Sequence, residues 1–410
     1  MSLTSIVAPF RTVESRQELK LLFLAQPIVP VVLLSVRLFG KIRKVPGLGW
    51  VVTDPLLARQ VFNDANHFTI VGLGGAGFWW KQVLGEWVLE LFDGVGHHRI
   101  RTAVRDLFAA DFTNLLIERA GGESFRSLAE DLAAGKQVDI VAWSRVTVGR
   151  VVADLVGMDS NDIADTFPDA DPSDIPGLFR LLSKEGENLA NYAMGIGSPD
   201  MTEEDMASSR QVVHRITSMV PRAYATAGSD TVLGRLRDSG VSEQHAVGLT
   251  ALMVVAGTQT TIATIGRMVA LLHDSGEQHT LLADPSITPD TVRESLRVTS
   301  AAAAVGRGVS RDVEVGGKML KEGDEVKIFV WSINNAIGPF KADRAYVPEL
   351  RQLWFSGGRH LCIGATLVNV ELARVLGALI ADGRPWRIVE RKARSRLLVP
   401  GYEKLVIELV

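Results

Sequence analysis

Cysteine is almost absent from this chain, since Cys362 is the only one among 410 residues. A single thiol excludes an internal disulfide, so Cys362 acts alone or together with a bound partner. The scarcity of cysteine and the lack of a signal-peptide pattern predict a cytoplasmic protein.

An excess of charge of either sign is missing as well. The formal net charge is −3, which gives no electrostatic reason to expect nucleic acid as a partner. Hydrophobic residues make up 47% and charged residues 22%, an ordinary globular balance that allows a large core.

The N-terminal region has no uninterrupted hydrophobic run long enough to span a membrane. Residues 21–36 are mostly apolar, but Gln26, Pro27 and Pro30 interrupt them, and a spanning helix needs roughly 20 apolar residues. We therefore predict no membrane span, and an amphipathic helix over residues 28–39 that begins near the prolines. A contact of this helix with a membrane surface is the alternative.

The rest of the chain predicts a mainly α fold with a smaller β portion (α+β). The longest helical pattern covers residues 242–272, and because it is apolar on most faces it must cross the core. No repeat or linker is visible, so we expect one domain over residues 1–410. The other predicted elements are a hairpin over 41–54, a short helix over 55–63, a helix from about Gly96, strands over 309–329, a helix over 365–381 and a terminal hairpin.

Two loop-like runs, residues 169–177 and 195–201, interrupt helical patterns. Such segments predict a mobile lid over a binding site.

The run around the cysteine, Phe355-x-x-Gly-x-His360-x-Cys362-x-Gly364, carries the strongest chemical signal. Glycines let the backbone approach a flat macrocycle and leave N–H groups facing the sulfur. A thiolate is favoured at a helix start and is a good axial ligand for heme iron. Phe355 is then expected to shield the sulfur, and His360 to meet a heme carboxylate. A buried, inert cysteine is the alternative.

The cysteine run resembles that of the cytochrome P450 heme-thiolate monooxygenases of the soluble bacterial type, and the resemblance covers nearly the whole chain. It implies the P450 fold, with a long central helix over the heme and a heme-binding loop at 355–364. It also implies heme b with Cys362 as the iron ligand, and a monomer that acts on a small-molecule substrate. Ferredoxin and ferredoxin reductase would supply electrons, so NAD(P)H takes part only indirectly.

Glu294 and Arg297 match the family's ExxR motif. Residues at i and i+3 share a helix face, so the carboxylate and the guanidinium can pair. The family pair locks the loop that leads to the heme and usually recruits a further arginine. Here that loop is shortened, and Arg344 and Arg351 are both candidates.

His97 and Arg101 match the family's HxxxR pattern, in which both side chains on one helix face hold an anionic propionate. Arg307 resembles the further propionate partner, with a solvated surface arginine as the alternative. A metal site formed by His97 and His98 is disfavoured, because adjacent helical residues point apart.

The segment from Ala256 to Thr261 lies midway along the long helix and resembles the family's oxygen-binding groove next to the cofactor. Gly257 would contribute to the groove, and Thr260 would be the proton-relay hydroxyl. The family normally has an acid where Gln259 stands, and an amide orients water but cannot titrate. Small-residue packing is the alternative.

A glycine-rich run, Gly72-x-Gly-Gly-x-Gly77, formally fits GxGxxG. A dinucleotide site needs a preceding strand and a second strand that ends in an acid, and these are missing. We instead predict a flexible loop over the active site. The aromatic residues that follow would line a substrate pocket or belong to the core: Phe78, Trp79, Trp80 and Trp87.

The resemblance thus predicts an enzyme that inserts one oxygen atom of O2 into a small to medium apolar or aromatic substrate, by hydroxylation or by O- or N-dealkylation. An acidic ferredoxin would dock near Arg99, Arg105 and Arg359. Two alternatives stay open. One is a heme-thiolate enzyme that uses peroxide or rearranges its substrate without external electrons. The other is a P450-like partner protein without catalysis.

Overall fold

The computed structural model describes residues 12–36, 40–85, 88–193 and 202–410. Its α-helices are α1 (Val13–Ala25), α2 (Ile28–Val36), α3 (Pro55–Asn63), α4 (Ala76–Leu84), α5 (Leu89–Phe92), α6 (Gly94–Val104), α7 (Ala110–Ala133), α8 (Ile140–Val156), α9 (Ser160–Thr166), α10 (Ile175–Ala193), α11 (Glu203–Thr217), α12 (Val220–Thr226), α13 (Val232–Asp238), α14 (Glu243–Ser275), α15 (Gln278–Ala283), α16 (Thr288–Val298), α17 (Val330–Asn334) and α18 (Ala365–Ile380). The strands are β1 (Ile42–Val45), β2 (Gly49–Val52), β3 (Phe68–Thr69), β4 (Val138–Asp139), β5 (Val305–Val309), β6 (Val313–Val315), β7 (Lys318–Leu320), β8 (Glu325–Ile328), β9 (Trp386–Ala393) and β10 (Tyr402–Leu409).

Helices dominate this architecture, which confirms the predicted mainly α fold with a smaller β portion. The 33-residue helix α14 lies at its centre and packs against α8 and α10. The Ser242 side chain caps its first turn, and Gly276 ends it in a left-handed conformation at φ 77°. By length and composition α14 could cross a membrane, but 56% of its most apolar stretch is buried, as in a core helix.

The strands form three separate sheets in the described part of the chain. The largest has the order β1-β2-β8-β5-β3, in which β2 and β8 run parallel and the other pairs are antiparallel. The predicted hairpins are present as β1–β2 and β9–β10, and β10 also pairs with β4. A two-stranded sheet, β6–β7, completes the set.

A buried ion pair fastens the N-terminal helix α1 to α14. The guanidinium of Arg267 donates to the Glu18 carboxylate and, through Nη1, to the Thr299 carbonyl at 2.5 Å. Both charged side chains are almost fully inaccessible, so each would be costly to bury without the other.

Several expected boundaries shift for local reasons. Helix α6 begins at Gly94 rather than near Gly96, because the Asp93 side chain accepts from the Gly94 N–H and caps the helix. Residues 37–39 of the expected N-terminal helix lie outside the described residues. Residues 195–201 also lie outside them, so the mobile lid stays a prediction.

Candidate active site

The loop before α18 is shaped by a close approach to α3. Gly358 has φ +61°, and a Cβ there would lie 2.1 Å from the Phe62 carbonyl oxygen. Only glycine fits that position without displacing backbone. The Cys362 N–H donates to the Phe355 carbonyl at 3.0 Å, which closes the loop and places Cys362 just before the first turn of α18.

The thiol of Cys362 faces a space inside the protein. The side chain is accessible to water, yet enough protein surrounds the sulfur that burial raises the pKa of the thiol. The Gly364 N–H and then the charge of Arg101 act in the opposite direction. Desolvation is the largest of these influences, while the N–H at the helix start favours the thiolate, as the sequence predicts.

Basic side chains from three elements surround this loop. Arg101 on α6 donates from Nη2 to the Leu361 carbonyl at 2.8 Å. The rings of His97 and His360 lie 4.9 Å apart, centroid to centroid. Burial and then the charge of Arg101 lower the pKa of His97 to about 4, and burial and then Arg307 lower that of His360 to about 3. Both imidazoles are therefore neutral near pH 7, and the positive charge of this group is carried by the arginines.

Arg307 on β5 belongs to the same group and is not a surface residue. It is 3% exposed, and burial lowers its pKa to about 10. Its Nη2 donates to the Ser356 hydroxyl at 3.1 Å, and its guanidinium lies 5.2 Å from the centre of the Phe62 ring. The structure thus excludes the solvated-arginine alternative.

One face of the central helix is open to internal space. Ala256 is exposed although it lies mid-helix, and the Thr260 hydroxyl donates to its carbonyl at 2.6 Å. Thr258 points elsewhere: it is fully buried, and a Cβ on Gly186 of α10 would lie 2.5 Å from its oxygen. Ala256 and Thr260, one turn apart, therefore share the accessible face.

Gln259 is 4% exposed, and its Nε2 has no hydrogen-bond partner in the described part of the chain. Gly257 is half-buried, and a Cβ there would lie 2.8 Å from a methyl of Val152. Both residues thus face the packed side of α14 more than Thr260 does.

The buried pair of Glu294 and Arg297 is joined by Arg344. Arg297 donates from Nε and Nη2 to the two carboxylate oxygens at 2.7 and 2.6 Å, and Arg344 Nε donates to Oε1 at 2.8 Å. Arg297 also donates from Nη1 to the Asn334 carbonyl at 2.6 Å. The further arginine is therefore Arg344, while Arg351 is exposed and outside the cluster.

The glycine-rich run at 72–77 packs against β5, and its expected role as a flexible loop over the active site stays a prediction. A Cβ on Gly306 of β5 would lie 1.7 Å from the Gly74 carbonyl oxygen, and one on Gly308 would lie 3.0 Å from the Gly72 Cα. Gly75 caps α4, so the run ends inside a helix. The sequence sign of this contact is that both segments, residues 72–77 and 305–309, are rich in glycine. That composition does not by itself predict that the two segments touch.

Of the described aromatic residues after that run, one is buried in the core and two are half-buried. Trp80 is 4% exposed and belongs to the main core. Phe78 and Trp79 are half-buried and meet edge to face at 5.7 Å. Trp87 lies outside the described residues.

The donor set fits a heme. A thiol in an enclosed space can bind iron, and the Gly364 N–H is available to the sulfur. The basic side chains of His97, Arg101, Arg307 and His360 match two propionates. By resemblance, Ser356 stands where the family's cysteine run usually has glycine, but nothing in the motif predicts that its hydroxyl accepts from Arg307.

Comparisons with known proteins agree with this geometry. A family model described as Cytochrome P450 matches residues 273–382. The putative cytochrome P450 YjiB of Bacillus subtilis is 33% identical over 147 residues, which cover 34% of this chain and 37% of that protein. The match thus spans little more than a third of that first relative's length. The vitamin D3 dihydroxylase of Streptomyces griseolus is 29% identical over 288 residues, covering 68% of this chain and 63% of that protein.

The structural comparison covers more of the chain. The crystal structure of P450BioI in complex with an acyl carrier protein ligated to hexadec-9Z-enoic acid superposes with a TM-score of 0.77 at 19% identity, over 95% of this chain and 100% of that chain. At this identity the likeness shows the fold. Fold, family model and curated relatives thus agree that this chain is similar to the cytochrome P450 proteins.

Proposed function

We propose that the chain is a heme-thiolate monooxygenase in which the Cys362 sulfur would bind the iron of heme b. The observation that carries the proposal is the position of Cys362: its side chain is accessible within an enclosed space, and the basic cluster borders the same loop. When bound, the heme would supply the O2 chemistry, in which one oxygen atom enters the substrate and the other, with two electrons and two protons, leaves as water.

The side chains around that space have separate roles in binding the heme and in handling protons. His97, Arg101, Arg307 and His360 hold the two propionates, and the Gly364 N–H tunes donation from the sulfur. Phe355 fixes the loop through its carbonyl, and its ring would shield the sulfur. Ala256 leaves room along the central helix, and the Thr260 hydroxyl holds a proton at the accessible face.

The substrate we propose is a small to medium apolar or aromatic molecule. Phe78 and Trp79 are half-buried near the glycine run that packs on β5, and Ala302 and Ala304 are exposed just before that strand. Small side chains beside the strand that carries Arg307 leave space near the macrocycle, and apolar linings are typical of such pockets. The relative from Streptomyces griseolus, named as a vitamin D3 dihydroxylase, is compatible with an apolar substrate and hydroxylation.

A separate acidic ferredoxin is the electron donor that the surface supports. Arg99 and Arg105 are exposed, and Arg359 pairs with Asp93 at 2.5 Å while remaining 40% exposed. Charge reversal at Arg99 and Arg105 should slow reduction by ferredoxin, and the loss should shrink as salt rises. Equal reduction rates in the native and charge-reversed proteins would exclude docking at this surface.

The proposal is tested by the reduced carbon monoxide difference spectrum of the purified holoprotein. The native protein should show the band typical of thiolate-ligated heme, and Cys362→Ser should lose it while retaining its helical circular dichroism. An unchanged band in the Cys362→Ser protein would rule out the assigned ligand. Product formation with ferredoxin, its reductase, NAD(P)H and O2 then tests the reaction itself.

A second candidate is an enzyme that uses peroxide without external electrons, and Gln259 favours it. The amide that stands in the family's acid position cannot titrate, and its Nε2 is unpartnered. Peroxide arrives with both the electrons and the protons that O2 chemistry must import. Turnover with peroxide alone, at a rate equal to or above that with ferredoxin and O2, would favour this candidate.

A further inference from the structure

The outward side of the N-terminal helix α1 combines positive charge with an exposed aromatic ring. Arg16, Lys20 and Phe23 are all exposed, Phe23 at 53%, and their spacing places them on one face of the helix. The acids of this helix, Glu14 and Glu18, are buried instead. The surface that α1 presents to solvent is therefore basic and apolar, without a negative charge.

Helix α2 continues this surface and contains no charged residue. Its inner side packs into the fold, where Leu33 and Val36 lie in one buried cluster with Val51 of β2. Its outer side leaves Val31 63% exposed, next to exposed Pro27. A nine-residue helix is about 14 Å long, too short to cross a bilayer core of about 30 Å, so α2 can only lie along a membrane surface.

A third cation reaches the same surface from the far end of the chain. The Arg396 N–H donates to the Leu24 carbonyl at 3.1 Å, and the Gln26 side chain donates to the Leu398 carbonyl at 2.8 Å. These bonds fix the turn between β9 and β10 against the corner between α1 and α2. The exposed Arg396 is therefore held beside the segment that carries Phe23.

The positive charge of this surface is not balanced locally. Arg16, Lys20 and Arg396 form no ion pair with any described residue. The whole chain has a formal net charge of −3, so these cations are a local excess and not part of a generally basic protein. Such an excess predicts an anionic partner.

A lipid surface matches these features better than a protein does. A stable protein interface takes about 20–30 residues from each side, whereas the unpaired cations and exposed apolar side chains here amount to only a few. A bilayer needs no such area, because a few apolar side chains enter the boundary below the head groups while cations meet anionic lipids.

We propose that the N-terminal face, formed by Arg16, Lys20, Phe23, Pro27, Val31 and Arg396, is a docking surface for an anionic phospholipid bilayer. The cations contact the head groups, and Phe23 and Val31 enter the boundary between head groups and acyl chains. The protein is then bound peripherally, with α2 in the plane of the membrane surface and still packed on β2.

The test is co-sedimentation of the native holoprotein with vesicles. Vesicles made of equal parts of phosphatidylcholine and phosphatidylglycerol should bind it at least about tenfold more tightly than vesicles of phosphatidylcholine alone. Binding should weaken as salt is added, because the cations are exposed and therefore screened.

A matched pair of double variants tests the charge. Lys20→Glu with Arg396→Glu should weaken binding to the anionic vesicles at least about tenfold. Arg99→Glu with Arg105→Glu makes the same change of net charge on and just after α6, and should bind these vesicles as the native protein does. An equal loss in both double variants would show a general charge effect and overturn the proposal.

A second matched pair tests the apolar contact. Phe23→Ser should weaken binding to the anionic vesicles about tenfold, whereas Leu115→Ser, on α7 and 71% exposed, should not. Both side chains are exposed, so both variants should fold, which circular dichroism checks.

Absence of sedimentation with the anionic vesicles would overturn the proposal, and so would equal binding to neutral vesicles. Sedimentation velocity without vesicles supplies the remaining outcome. A dimer that Phe23→Ser dissociates would assign the N-terminal face to a second copy of the chain, against the lipid surface proposed.

Discussion

The hydroxyl of Ser356 accepts a hydrogen bond from Nη2 of Arg307 at 3.1 Å, and its backbone occupies φ 67°, ψ −145°. That region is favoured by glycine and costs other residues about 1–3 kcal/mol. The family's cysteine run usually has glycine here. Ser356 is therefore strained at this backbone position, but its hydroxyl supplies an acceptor for Arg307, which is 3% exposed.

Two variants at this position separate strain from hydrogen bonding. Ser356→Ala keeps the strain and loses the acceptor, so it should be less stable than the native protein by about 1–3 kcal/mol. Ser356→Gly relieves the strain and should exceed Ser356→Ala in stability by about 1–3 kcal/mol. Denaturant unfolding gives both differences, and heme dissociation should be faster in both. Equal stabilities for the two variants would show that the backbone is not strained.

The two arginine candidates of the shortened loop should behave differently. Arg344→Ala removes a charged hydrogen bond to buried Glu294 and should cost about 2 kcal/mol of unfolding free energy. Arg351→Ala changes an exposed side chain and should stay within about 0.5 kcal/mol. Denaturation midpoints of the two proteins measure the contrast. A comparable loss of stability in both variants would indicate that Arg351 also interacts with Glu294.

Thr260 and Thr258 form a second matched pair. Both hydroxyls donate to the carbonyl four residues earlier at 2.6 Å, but only Thr260 lies on the accessible face. Thr260→Ala should therefore divert electrons from product to peroxide, because the proton at that face is lost. Thr258→Ala should leave the ratio of product to NAD(P)H consumed close to native. Full coupling in Thr260→Ala would exclude the relay.

Replacement of Gln259 tests proton delivery directly. Gln259→Glu supplies a titratable group at a position that is 4% exposed, and it should accelerate the proton-dependent step after O2 binding. Stopped-flow spectra with a proton inventory in mixed H2O and D2O measure that step. If the rate does not rise, a water or the substrate already delivers the proton.

Glu371 on α18 should make stability depend on pH. The side chain is 3% exposed, and burial raises its pKa to about 8. In the unfolded chain the pKa of a glutamate is about 4.3. At a pH between this value and about 8, the folded protein therefore holds a proton that the unfolded chain has released. The free energy of unfolding therefore falls by about 1.4 kcal/mol per pH unit as pH rises through this window.

Glu371→Gln removes this contribution. The variant's stability relative to native should be lowest near pH 4.5, increase with pH and level off above about 8. Glu123→Gln, at an exposed position on α7, supplies the baseline for losing one surface carboxylate. Parallel stability–pH curves for the native and Glu371→Gln proteins would show that the carboxyl is solvated.

The sequence predicts those parts of the molecule in which pattern and chemistry coincide. The central helix, the two hairpins and the mainly α fold follow from periodicity and turn residues, and α14 begins one residue after the Ser242 expected to start it. Cys362, Arg101 and Arg307 are predicted site residues because the segments that contain them resemble those of the family.

Contacts between distant segments could not be predicted in this way. The choice of Arg344 over Arg351 depends on where a shortened loop turns, which no local pattern specifies. The raised pKa of the Cys362 thiol depends on desolvation by the whole fold, which a local sequence pattern does not reveal. Ser356 holds Arg307 across 49 residues of sequence, and a single sequence carries no sign of that pairing.

The backbone contact of Gly74 with Gly306 has a consequence for engineering this protein. Since a methyl group on Gly306 would collide with the Gly74 carbonyl at 1.7 Å, and Gly74 itself has φ +85°, neither site tolerates randomisation. Libraries aimed at altered selectivity should hold both glycines constant and vary Phe78 and Trp79 instead, which are half-buried and are the residues that we propose to line the substrate pocket.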